Sequence, residues 1–111
     1  MTPQRIRVET AGIRDEASFH RVFSEVMGFP TTYGKNMSSW IDCMSFLDDG
    51  SSGMTTCSVM PGELFYLEVA DTRDFQRRVP QVFKGFMEAA ATVNARRIEG
   101  DEPPVLALIL V

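Results

Sequence analysis

Two apolar runs, Leu64-Phe65-Tyr66-Leu67-Glu68-Val69 and Val105-Leu106-Ala107-Leu108-Ile109-Leu110-Val111, do most to limit what this chain can fold into. Both are nearly continuous and bounded by turn residues. Each therefore reads as a strand buried on both faces, as in a parallel sheet covered by helices. Between them Val82, Phe83, Phe86, Ala90 and Val93 recur at helical spacing and put Glu88 on the opposite, exposed side. Strand, helix and strand in that order imply parallel pairing through a right-handed crossover.

The N-terminal half supplies the remaining elements. Arg5-Ile6-Arg7-Val8-Glu9 alternates with period two, a short strand with Ile6 and Val8 inward. Asp15 and Glu16 form the acidic start of a helix whose Phe19, Val22, Phe23 and Val26 share one face; Gly28 ends it and Pro30 prevents its continuation. After the turn Thr31 to Lys35, Asn36 caps a second helix with Met37, Trp40, Ile41, Met44 and Leu47 on its apolar side and Ser38, Asp42, Ser45 and Asp49 on the other. Asp48 to Gly62 has no periodicity and reads as a loop, with Met54 to Met60 open to an extra edge strand. Thr72 or Asp71 caps the next helical stretch, Pro80 interrupts it, and Arg96, Arg97 and Gly100 suit its end. The fold class is α/β, a three-stranded parallel sheet packed by helices, in one domain over residues 1–111.

Composition narrows the function. No run approaches the roughly 18 apolar residues of a membrane span. Met1-Thr2-Pro3-Gln4-Arg5 leads into alternating residues, not an apolar signal core, so a cytoplasmic protein with no membrane role is expected. Cys43 and Cys57 belong to no CxxC pair or Cys/His cluster, which leaves no expected metal or cofactor. From Asn36 through Asp71 there is no Lys or Arg, while Asp42, Asp48, Asp49, Glu63, Glu68 and Asp71 fall in that stretch. Such a segment repels nucleic acid and favours cationic partners. No nucleophile with a base, no acid and base pair and no phosphate loop is evident, so an enzyme is not expected. His20, beside core Phe19, reads as a partly exposed structural residue, and Cys43 as a buried small hydrophobe. A reactive Cys43–His20 pair is the weakest of the readings. Met37, Met44 and Trp40 read as core.

The sixteen residues from Phe29 to Met44 resemble the signature of the barstar family, in which a proline turn leads through Tyr-Gly-x-Asn into a helix with an Asp-Cys-Leu run; here these are Tyr33-Gly34-Lys35-Asn36 and Asp42-Cys43-Met44. The resemblance implies a barstar-like fold and an inhibitor whose second helix and preceding loop plug the active site of a ribonuclease or ribonuclease-like toxin that is cationic there. In that picture Asp42 occupies a phosphate position and accepts hydrogen bonds from the enzyme's cations. Thr32, Tyr33, Gly34 and Asn36 would form the binding loop; Met37, Ser38, Ile41 and Ser45 would flank Asp42; and Glu88 would add an acid from the last long helix. Thr32 stands where the family's better-known pattern has an aromatic residue, Ser38 where it has an acid and Ile41 where it has a tryptophan. The alternative is an interaction module that keeps the fold and binds a non-nuclease partner.

Overall fold

The computed structural model describes residues 5–111. Met1 to Gln4, the lead-in to the first strand, lie outside the described residues. The elements are β1 (Arg5–Val8), α1 (Glu16–Met27), α2 (Met37–Met44), a 3₁₀ turn (Gly50–Ser52), β2 (Phe65–Val69), α3 (Thr72–Arg78), α4 (Pro80–Glu99) and β3 (Leu106–Leu110). The strands form one parallel sheet in the order β1-β2-β3, with Ile6 beside Leu67 and Leu67 beside Leu108. Each parallel step carries helices in its crossover, as the sequence order requires.

Local chemistry sets the boundaries. Asp15 caps α1 by accepting from Ser18 N at 2.8 Å, and Ser18 Oγ returns a bond to the cap backbone, which satisfies two orphan N–H groups of the first turn. Gly28 closes α1 at φ 64° with its N–H on Ser24 O. A Cβ there would also run into Thr56, whose own N–H and Oγ1 both bond Met27 O and hold it in place. Gly28→Ala therefore combines left-handed strain with a clash that cannot relax freely. It is expected to destabilise by about 1–3 kcal/mol, read from the urea midpoint, with part recovered by adding Thr56→Ala. The α3–α4 break falls at Val79, because Pro80 at the start of α4 has no N–H to extend α3.

One cluster of buried side chains joins Val8, Phe65, Leu67, Val69 and Leu106 of the sheet to Phe19, Phe23, Trp40, Met44, Phe75, Phe86 and Val93 of the four helices. Trp40 sits among Phe19, Phe23 and Phe86 at ring-centroid distances of 6.4, 5.6 and 5.7 Å. This corrects one expectation: β2 and β3 are not buried on both faces. Phe65, Leu67 and Val69 are buried, but Tyr66 between them is 41% exposed, and Ala107 beside Tyr66 and Ile109 beside Glu68 in register are only half-buried. The helices bury the strands' other face, and on this one Arg5 and Arg7 reach over Glu68 in ion pairs. Their guanidinium groups hold the Glu68 carboxyl below the usual carboxylate range. Nor is there an edge strand between Met54 and Met60. That segment is irregular and is tied down by Thr56 N–H on Met27 O and Val59 N–H on Leu47 O. Leu47 is core, as its spacing implied, but lies in the turn beyond α2.

Candidate partner-binding face

The turn before α2 is built by its own side chains. Asn36 Oδ1 accepts from Ser39 N at 2.8 Å and caps the helix, while its amide Nδ2 donates to Gly34 O at 3.3 Å. One side chain thus joins turn and helix. Lys35 takes the left-handed region at φ 56°. A Cβ on Gly34 would collide with Ser39 Oγ and come within 3.2 Å of Asn36 Nδ2, so a larger residue there must displace the Ser39 hydroxyl.

Tyr33 departs from its expected place in the binding loop. It is 8% exposed, stacked on Phe29 at 4.5 Å, with its hydroxyl 2.6 Å from His20 Nδ1, so its side chain supports the turn from beneath and offers no open surface. His20 is likewise buried, at 1% exposure, and not partly exposed as its place on α1 suggested. Its Nε2 faces Glu16 Oε1 at 3.6 Å without forming a hydrogen bond. Assigning the imidazole proton to Nε2 makes the Tyr33 hydroxyl the donor to Nδ1. Burial pushes the Tyr33 phenol up, with Cys43 and Glu16 adding to it, so this donor keeps its proton. Burial also pushes the His20 pKa down, and Glu16 opposes this only in part.

That shift has a sign. With the folded-state value below the ordinary 6.5, the unfolded chain binds more protons between the two values. Stability from this group is full above about pH 6.5, falls as pH drops through that value and levels off below the folded-state pKa. Urea midpoints measured from about pH 7.5 down to about pH 5 are expected to decline, with a shallower slope in His20→Gln; equal slopes would remove His20 as the cause.

On α2, Ser38 is exposed and Met37, Ile41, Asp42 and Ser45 are half-buried. Met37 and Ile41 lean on the core, and Ser45 Oγ donates to Ile41 O at 2.6 Å. The Asp42 side chain is 50% exposed and its Oδ1 accepts from Arg96 Nη1 at 3.2 Å. α4 runs along this flank: a Cβ on Gly85 would sit 3.5 Å from Met37 Cε, and Arg96 meets Asp42 near the other end. Glu88 is exposed on α4 about two turns before Arg96. The turn, the outer side of α2 and this edge of α4 thus make one surface. Thr32, Gly34, Lys35, Asn36, Ser38 and Arg96 are exposed on it, and Glu88 is exposed farther along α4.

Two arginines whose sequence positions suggest only helix-end charges do more than that. Arg97 is buried, donating to both carboxylate oxygens of Asp48 at 3.1 and 2.5 Å and to the carbonyls of Ser45 and Pro103. Arg96 is the ion partner of Asp42. The base-free stretch is therefore less bare than its sequence: Asp42, Asp48 and Glu68 are all paired by arginines from other elements. A pairing across 54 or 49 positions leaves no trace in local spacing.

Cys43 is buried, and burial, then Asp42, raises its thiol pKa, opposite to what a nucleophile needs. Among the described residues no three His, Cys, Asp or Glu side chains come together to hold a metal ion, and no helix is long and apolar enough to cross a membrane. A search of curated proteins returns no match. The family model described as "Barstar (barnase inhibitor)" matches residues 4–108. With nearly the whole length matched, and with a parallel three-stranded sheet carrying a capped α2 behind its proline turn, the chain belongs to the barstar family.

Proposed function

We propose that this chain is a cytoplasmic inhibitor of a ribonuclease toxin, an immunity or self-protection protein and not an enzyme, which blocks the toxin's active site with α2 and the turn before it. The observation that carries the reading is Asp42: a half-exposed carboxylate on the outer side of a capped helix, already accepting a hydrogen bond from a guanidinium. A ribonuclease holds phosphates with cations, and a carboxylate presented on a rigid helix meets the same donors. Around it Thr32, Gly34, Asn36 and Ser38, with Glu88 farther along α4, offer exposed polar contacts, Met37, Ile41 and Ser45 fill the space between, and Tyr33 acts from below by fixing the turn. Shape comes from the turn and charge from the helix.

A second reading, a barstar-fold module for a non-nuclease partner, is favoured by one observation: Asp42 is not a bare charge but is paired within the chain. The test uses the wild type and Asp42→Ala as paired baits, with every captured protein assayed for ribonuclease activity with and without bait. The inhibitor reading expects a basic ribonuclease held by the wild type, silenced on binding and lost with Asp42→Ala. Equal capture by both baits, or a partner without nuclease activity, would sink it.

A further inference from the structure

We propose that Arg96 is a built-in competitor for Asp42, a residue that sets which cationic partners the chain accepts and how tightly; this rests on reading Asp42 as the plug carboxylate. In the unbound chain Arg96 Nη1 already stands 3.2 Å from Asp42 Oδ1, with the two side chains 54% and 50% exposed. A partner's guanidinium or ammonium group can approach the same carboxylate only by displacing one that is there.

The competitor is held in place by its neighbour. Arg97 binds Asp48 and the Ser45 carbonyl, so the end of α4 is fastened to the end of α2 one residue from Arg96. Trp40 against Phe86 fixes the two helices further back. Arg96 therefore leaves a backbone that cannot drift from Asp42, and the flexible part is its own side chain. The pair borders a notch of about 280 Å³ that Phe46, Asp48, Asp49 and Glu102 also line. Of the two arginines there, Arg97 is buried on Asp48, so Arg96 is the cation an approaching partner meets.

Displacement costs the partner twice. Breaking a half-exposed pair is worth no more than roughly five-fold in an equilibrium constant. The displaced guanidinium must then stay beside a cationic active site, where like-charge repulsion adds to the loss and slows encounter. Removing Arg96 should tighten binding by about ten-fold, and reversing its charge by more, chiefly through faster association at low salt.

The experiment takes barnase as probe and measures how much full-length wild type, Arg96→Ala, Arg96→Glu, Asp42→Ala and the Arg96→Ala/Asp42→Ala double variant is needed to block its RNA cleavage, with melting curves to show that each is folded. Expected are inhibition at lower concentration for Arg96→Ala, lower still for Arg96→Glu, and a gain from Arg96→Ala that shrinks to about two-fold or less once Asp42 is gone. Arg96 variants indistinguishable from wild type overturn the proposal, whether all inhibit or none does at the highest concentration. So does a gain that persists in full without Asp42, which would mean net charge alone. Failure of the plug reading looks different: Asp42→Ala would inhibit as well as wild type.

Discussion

Arg97→Ala is expected to lower the free energy of unfolding by about 3–5 kcal/mol, the loss typical of removing one partner from a buried ion pair. Its side chain is 4% exposed, and that of Asp48 14%. Truncation leaves Asp48 shielded from water without its cation and strips the carbonyls of Ser45 and Pro103 of their donors. The favourable helix-end placement of a cation accounts for only about 0.3–1 kcal/mol and does not decide the outcome. Lysine should rescue little, because one ammonium cannot reproduce a planar fork that serves a carboxylate and two carbonyls at once. Urea denaturation at neutral pH, followed by the fluorescence of Trp40, measures the loss. A cost below about 1 kcal/mol would show that water reaches Asp48 readily. Arg97→Met with Asp48→Leu, which removes both charges, should recover most of the stability and separate the cost of an orphaned charge from the worth of the pair.

How far this was legible in the sequence depended on whether the deciding contact was local. Asp15, Gly28, Asn36 and Pro80 act within four residues of themselves, and each ends or starts its helix where its side chain or φ angle requires. The strands' existence and parallel order are legible in apolar runs with a helix between them. Their exposure is not, because a run such as Leu64 to Val69 looks the same whether one face or two is covered; only the packing of the helices on one side leaves Tyr66 to solvent. At the candidate site the resemblance picks out Tyr33 through Asp42 as one segment, within which the structure buries Tyr33 and leaves Asp42 half-exposed. Tyr33 turned inward because His20, thirteen positions earlier, offers its buried hydroxyl an acceptor. Arg96 and Arg97 sit side by side near the end of one helix with similar local context, yet one faces Asp42 at the surface and the other is sealed on Asp48. The step of about a hundred degrees between successive helical residues separates them, and what lies across that step belongs to α2.

Asp42→Ala should show the reverse balance, a large loss in binding and almost none in stability. Within the folded chain the carboxylate is half-exposed and its pairing to Arg96 is of the surface kind, so unfolding should change by less than about 1 kcal/mol. In a complex the same carboxylate would be desolvated against cations. Truncating one side of such a contact costs about 2–5 kcal/mol, a range that the barnase–barstar pair itself helped to set. Much of that cost is the partner's cations left without a counter-charge, not the worth of the contact alone. The two contributions separate with salt. At about 0.1 M the screening length is near 10 Å, so raising salt should slow wild-type association while leaving dissociation nearly unchanged. Asp42→Ala should instead dissociate faster at every salt concentration, because the contact it removes forms after encounter. Binding and release rates for both proteins across a salt series decide the matter. A variant whose melting temperature drops as steeply as its affinity would make Asp42 a structural residue, anchoring α2 to α4 through Arg96.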